Sequence, residues 1–182
     1  MLAAGERVGL RRIRPADLGQ IIRHAFTVSI HEPLDDLDVV TAAFEATGFW
    51  TTDAGAVAMV EIASGRLVGT CQFYRSAPCI HGYEIGYVVH DPADRGRGTA
   101  SEALRLLTDH LFGGRPACHR LQLLIETWNT ASWKVAERCD YVREGVLRSA
   151  GFMDADEPAD CFLYARTRKD WVQAQAGKDR RS

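Results

Sequence analysis

Hydrophobic positions along the chain recur with a period near two in some stretches and near three and a half in others, and the switches divide it into elements. Residues 8–13, VGLRRI, read as a short first strand. Pro15 then stands early in a helix carrying Leu18, Ile21, Ile22, Ala25 and Phe26 on one face. A second helix is predicted over 34–47, with Leu37, Val40 and Phe44 at helical spacing and Gly48 placed to stop it. The stretch between them, TVSIHEP, is read as a loop.

Three strand-like runs follow, at 56–63, at 66–74 after the turn Ser64-Gly65, and at 83–90 after the 78–82 connection, in the manner of an antiparallel meander. The clearest helix spans 98–112, where Ala103, Leu104, Leu107 and Leu111 form one stripe and Gly113-Gly114 should end it. A buried strand at 120–127, a short helix at 131–139 and strands at 141–147 and 160–167 complete the pattern. A strand–helix–strand crossover inside an antiparallel series implies an α/β (α+β) fold with a mixed, mostly antiparallel sheet of about seven strands and helices on both faces. The reading is one domain over 1–176, with 177–182 as a frayed tail.

Composition narrows the function. Apolar residues make up 46% and charged residues 25%, as in a packed globular protein. A net charge of -2 and a pI near 6.3 supply no basic field, which argues against nucleic acid as the main ligand. Cys71, Cys79, Cys118, Cys139 and Cys161 are odd in number and scattered, without a C-x-x-C pair, so they read as reduced thiols of a cytoplasmic protein with no metal site. No window reaches the run of apolar residues that a membrane span needs, and the N-terminus lacks the apolar core of an export signal.

The sharpest local signal is Arg95-Gly96-Arg97-Gly98-Thr99-Ala100, joining a strand to the best helix. Glycines there let the backbone approach a bulky anion, and successive N–H groups at a helix start make a cradle for a diphosphate, with arginines at its rim. The lysine of a P-loop is missing, and so is the G-x-G-x-x-G of a dinucleotide fold. Alone, a glycine-rich turn of this kind remains weak evidence.

The longer segment from Glu84 through Gly86, Asp91 and Pro92 to Leu104 resembles the acetyl-CoA-binding strand, loop and helix of the GNAT superfamily, with an R-x-x-G-x-A core at Arg95, Gly98 and Ala100. The run from Asn129 and Ser132 through Tyr141 into Glu144-Gly145 resembles the continuation seen in the RimJ/RimL-type branch. Leu10 to Asp17 and the closing Asp160, Tyr164 and Trp171 fit the same branch. Asp140-Tyr141 departs from the usual glycine and phenylalanine, and aspartate tolerates the left-handed conformation that a helix end requires.

The resemblance implies an N-acetyltransferase that moves an acetyl group from acetyl-CoA directly to a primary amine of a protein N-terminus or small molecule, with a homodimer left open and no nucleic acid or membrane partner. It implies that the diphosphate rests on the amides of Arg95, Gly96, Arg97, Gly98, Thr99 and Ala100. The pantetheine arm would pair with the main chain of Val88, Val89 and His90, in a splay between the strands at 83–90 and 120–127. A backbone N–H near Val89 would face the developing oxyanion. Glu84 is the candidate general base, through a water; the alternative is a solvated residue on its strand. Ser132 is the candidate for hydrogen-bonding the departing thiolate, against a plain capping role, and Asn129 serves as helix cap and pantetheine contact.

His81 and His90 lack the spacing of a triad or metal site and read as loop and strand-end residues. Trp128, Trp133, Phe73 and Tyr74 could line an acceptor pocket, though core packing is the simpler role. Asp160 and Glu126 could attract a cationic amine. A non-catalytic acyl-CoA sensor on the same fold is the alternative function; a cysteine hydrolase lacks partner residues.

Overall fold

A computed structural model describes residues 1–24, 36–77, 79–154 and 156–179. Among the described residues there are ten strands and five α-helices: β1 (Ala3–Ala4), β2 (Val8–Arg12), α1 (Leu18–Ile21), α2 (Leu37–Thr47), β3 (Ala54–Glu61), β4 (Leu67–Tyr74), β5 (Gly82–Val89), α3 (Thr99–Gly114), β6 (Arg120–Glu126), α4 (Thr130–Arg138), β7 (Val142–Leu147), β8 (Met153–Asp154), β9 (Glu157–Pro158), β10 (Cys161–Thr167) and α5 (Arg168–Asp179). Eight strands form one sheet in the order β1-β2-β3-β4-β5-β6-β10-β7, and β8 and β9 form a separate hairpin. Pairing is antiparallel at β1–β2, β2–β3, β6–β10 and β10–β7, and parallel at β5–β6. The expected mixed, mostly antiparallel architecture is therefore found, with one more strand than expected because β1 was too short to read.

The chain divides into two compact units, Met1–Phe73 with Tyr87–Leu107, and Tyr74–Gly86 with Thr108–Ser182. In the first, Ala58 and Val60 of β3 pack with Ile13, Leu18, Val40 and Leu67, and Ile21, Ile22 and Phe44 close over them. Val57 and Met59, pointing to the opposite face of the same strand, are equally buried, so β3 is covered on both sides. Asp36 caps α2 by accepting from the N–H groups of Asp38 and Val39 at 2.8 and 3.4 Å, and Gly48 ends it at φ 60°. That helix starts at Leu37 instead of 34, and Leu37, expected on the inner face, is exposed, because it sits in the first turn beyond the packed stripe of Val40 and Phe44. Ala25, Phe26, the TVSIHEP loop and Leu34 lie outside the described residues.

In the second unit Leu121, Leu123 and Ile125 of β6, Ala136 and Cys139 around α4, and Tyr164 of β10 are buried together with Leu111 and Phe112. Gly113 and Gly114, expected to stop α3, form its last turn. Arg168 fastens this end from outside: it donates to Phe112 O in the last turn at 2.8 Å and, just beyond the helix, to Arg115 O and Cys118 O, each at 2.7 Å. Gly177, expected in a frayed tail, belongs instead to α5, which Thr167 and Asp170 open with reciprocal hydrogen bonds and which Trp171 ties to Asp109 at 2.6 Å.

Candidate active site

Within the first unit the segment after β5 is built residue by residue for a tight turn. The Asp91 side chain accepts from Ala93 N–H at 2.8 Å and starts a single 3-10 turn over Pro92–Asp94. Arg66 grips Asp94 through two hydrogen bonds of 2.7 and 2.9 Å; these hold the Asp94 carboxyl below its ordinary value against a smaller opposing effect of burial. Thr99 Oγ1 donates to Asp94 O at 3.2 Å, tying the first residue of α3 back to that turn. Between them Gly96 and Gly98 stand at φ 72° and 83°, conformations that L side chains rarely adopt. The space where a Gly96 side chain would begin is open, and the Arg95 and Arg97 side chains are exposed beside it. Two left-handed glycines with exposed arginines at the start of a 16-residue helix have the form that suits an anion cradle.

Arg7 is a further basic group that local sequence reading missed. Its Nη2 lies 2.8 Å from where a Cβ on Gly98 would stand, and its N–H donates to Glu102 Oε1 at 3.0 Å, across 95 residues of sequence.

Along β5 the main-chain groups divide by side. His90 N–H donates to Val68 O at 3.0 Å, so the N–H and C=O of His90, and by alternation those of Val88, turn toward β4. Those of Val89 turn the other way, and its carbonyl accepts from Arg95 Nε at 3.3 Å. Of the three residues expected to meet pantetheine, Val89 alone has its main chain turned from β4. The His90 ring is buried, with Nδ1 3.3 Å from Gln20 Nε2, a core position.

The second unit holds Glu84. Contrary to the solvated alternative, it is only 9% exposed. Its Oε1 accepts from the Tyr74 hydroxyl at 2.7 Å and its Oε2 from Gln122 Nε2 at 3.0 Å. Gln122 in turn accepts from Arg120 Nε at 3.2 Å, and Arg120 makes a two-pronged pair with Glu144 at 2.9 and 2.6 Å. Register explains the row: Glu84 stands opposite Gln122 on β6, and Tyr74 ends the neighbouring β4. The parallel ladder of β5 with β6 runs from Gly82↔Arg120 to Glu84↔Gln122 and ends there among the described residues. Burial and the bond to Glu84 push the Tyr74 phenol well above its usual range, keeping it protonated.

Asn129 is the N-cap of α4, accepting from Ser132 N–H at 3.2 Å. Ser132 therefore sits in the first turn as the capped residue, not as the cap. At the far end of α4, Asp140 takes φ 61°, Tyr141 N–H reaches Ala136 O at 3.1 Å and Asp140 N–H reaches Glu137 O at 3.1 Å. This left-handed stop is the one glycine usually provides. Trp128 is exposed, against a core expectation, whereas Phe73 is buried edge-on against Trp50. Asp160 is engaged by Ser149 N–H at 2.9 Å. Among the described residues no group of three or more His, Cys, Asp or Glu could hold a metal ion, and no helix is long and apolar enough to cross a membrane.

Residues 7–142 match the family model for the acetyltransferase (GNAT) domain. The chain belongs to the GNAT acetyltransferase family. As a GNAT enzyme it is an acetyl-CoA-dependent acetyltransferase, and the glycine cradle with its arginine rim fits the diphosphate of that co-substrate. No curated protein matches the chain. Among solved structures, a point mutant of spermidine N-acetyltransferase SpeG from Vibrio cholerae is 17% identical, covers 94% of this chain and 99% of its own, and superposes with a TM-score of 0.78. A dodecameric structure of the Vibrio cholerae spermidine N-acetyltransferase is 18% identical, with 92% and 98% coverage and a TM-score of 0.77. A GNAT-family acetyltransferase from Bacillus anthracis is 22% identical, with 92% and 98% coverage and a TM-score of 0.70. At these identities the likeness is one of GNAT fold.

Proposed function

We propose that this GNAT enzyme, a single domain over 1–176 of the RimJ/RimL-like branch working in the cytoplasm, acetylates a primary amine on a protein N-terminus or a small molecule. The observation that supports it most is the cradle: Gly96 and Gly98 in left-handed conformations opening α3, with Arg95, Arg97 and Arg7 around them. The Arg95 N–H is taken up by Pro92 O at 3.1 Å, so the amides of residues 96–100, and not that of Arg95, take the diphosphate, which orients the thioester and supplies much of the rate by positioning. Val89 N–H, turned from β4, stabilises the oxyanion. Glu84 receives the amine's proton, and Ser132, set by its Asn129 cap, hydrogen-bonds the departing thiolate. Polyamines of the kind named for the Vibrio cholerae neighbours are acceptors in the same class as an N-terminal amine, each presenting a cation beside a chain, and a homodimer is compatible with this reading.

The test is release of free thiol from acetyl-CoA against a panel of spermidine, short peptides with free N-termini, and aminoglycosides. Turnover with a primary amine supports the proposal. Tight acetyl-CoA binding with no release on any amine of the panel overturns it.

A further inference from the structure

Glu84 is a base that its own surroundings screen. It is nearly buried, each of its oxygens already accepts a hydrogen bond, and one of the two donors, Gln122, is 1% exposed. An amide cannot carry a proton away, and Arg120 fixes the Gln122 amide through its oxygen. Tyr74 is different in both respects: it is half-buried, not buried, and a phenol can accept one proton while donating another. We infer that Tyr74, and not a water, meets the acceptor amine and relays its proton to Glu84. The inference rests on the reading of Glu84 as the base.

The step balances. The substrate ammonium gives one proton to the Tyr74 oxygen as the phenolic proton passes to Glu84 Oε1, so Tyr74 is unchanged and Glu84 becomes a carboxylic acid. The freed amine nitrogen then bonds to the acetyl carbon, the carbon–sulfur bond breaks, and the thiolate leaves with the second amine proton. Glu84 later returns its proton to solvent.

Tyr74→Phe keeps the ring and removes only the relay, and Glu84→Gln keeps the shape and removes only the acceptor. Each is compared with wild type, and with the double variant, in single-turnover acetyl transfer to the most active amine among spermidine and free N-terminal peptides. Near-ultraviolet dichroism and the KM for acetyl-CoA confirm an intact fold. Each single change should slow transfer about 100-fold, and the double variant should be no slower than the slower single. A linear dependence on deuterium fraction in Tyr74→Phe, against a curved one in wild type, would mark the loss of one moving proton. If Glu84→Gln slows transfer and Tyr74→Phe does not, the relay is wrong and the base reading survives. Full rates in Glu84→Gln overturn both. Losses that multiply in the double variant show independent roles and overturn the relay.

Discussion

Replacing Gly98 with alanine tests the cradle at the position where backbone and side chain both matter. Gly98 holds φ 83°, which costs an L residue about 1–2 kcal/mol relative to glycine. A new Cβ would also lie 2.8 Å from Arg7 Nη2, so the guanidinium must swing away, at little cost for the end of a flexible side chain. In the free protein the turn can relax out of the strained conformation. Binding must then restore it, so the same 1–2 kcal/mol appears as a loss of about 5–30-fold in affinity for CoA. Gly96→Ala is the matched control: at φ 72° with open space around it, it carries the conformational cost without displacing Arg7. Calorimetric titration with CoA should show both losses, larger at Gly98 by whatever Arg7 contributes. Pantetheine, which lacks the diphosphate, should bind the two variants and wild type alike. CoA affinities within two-fold of wild type in both variants, or equal losses for pantetheine, would refute the reasoning.

Three further outcomes are expected. Asp17 is buried, which alone would raise its pKa, but two hydrogen bonds from Arg11 at 2.6 and 2.9 Å and one from Arg14 N–H at 2.8 Å outweigh this and hold it below its ordinary 3.8. Its contribution is therefore full above that value and is lost as pH falls through the lower folded one; Asp17→Asn should cost about 2–3 kcal/mol in urea unfolding at pH 7 and flatten the acid limb of stability against pH. Asp140→Asn keeps a residue that tolerates φ 61° but takes the counter-charge from buried Arg166, 3.3 Å away; because the Asp140 carboxylate is itself largely exposed, stability should fall by about 0.5–1 kcal/mol in the same assay. Arg168→Ala removes three hydrogen bonds to carbonyls, of which Arg115 O keeps the Cys118 N–H at 2.9 Å, and should destabilise by about 2 kcal/mol, with faster amide exchange in the last turn of α3.

What could be read in the sequence was what is encoded locally. The stripe of α3, the turn at Ser64-Gly65 and the left-handed stop at Gly48 follow from spacing and residue type. So does the tolerance of Asp140 for the conformation glycine usually takes, and all four are present. The opening of α5 was also written there, in Thr167 and Asp170 three residues apart. It was overlooked because the helix has no continuous apolar stripe and is held by Arg168 and Trp171 reaching distant residues. Glu84 was legible as a carboxylate on a strand, but its burial and its bonds to Tyr74 and Gln122 depend on register between β5 and β6 and on the end of β4, which no local pattern reveals. Arg7 at the cradle was invisible for the same reason: its neighbours Gly98 and Glu102 come from another part of the chain.

The five cysteines carry a practical consequence. None forms a disulfide and all are buried, and burial pushes Cys79 and Cys161 up to about 11 and Cys71 further still. Chromogenic disulfide reagents attack the ionised form of a sulfhydryl, so at neutral pH the folded enzyme should contribute almost no colour of its own. Product can then be followed continuously at high enzyme concentration, and a baseline that begins to climb reports loss of the native state in the same cuvette.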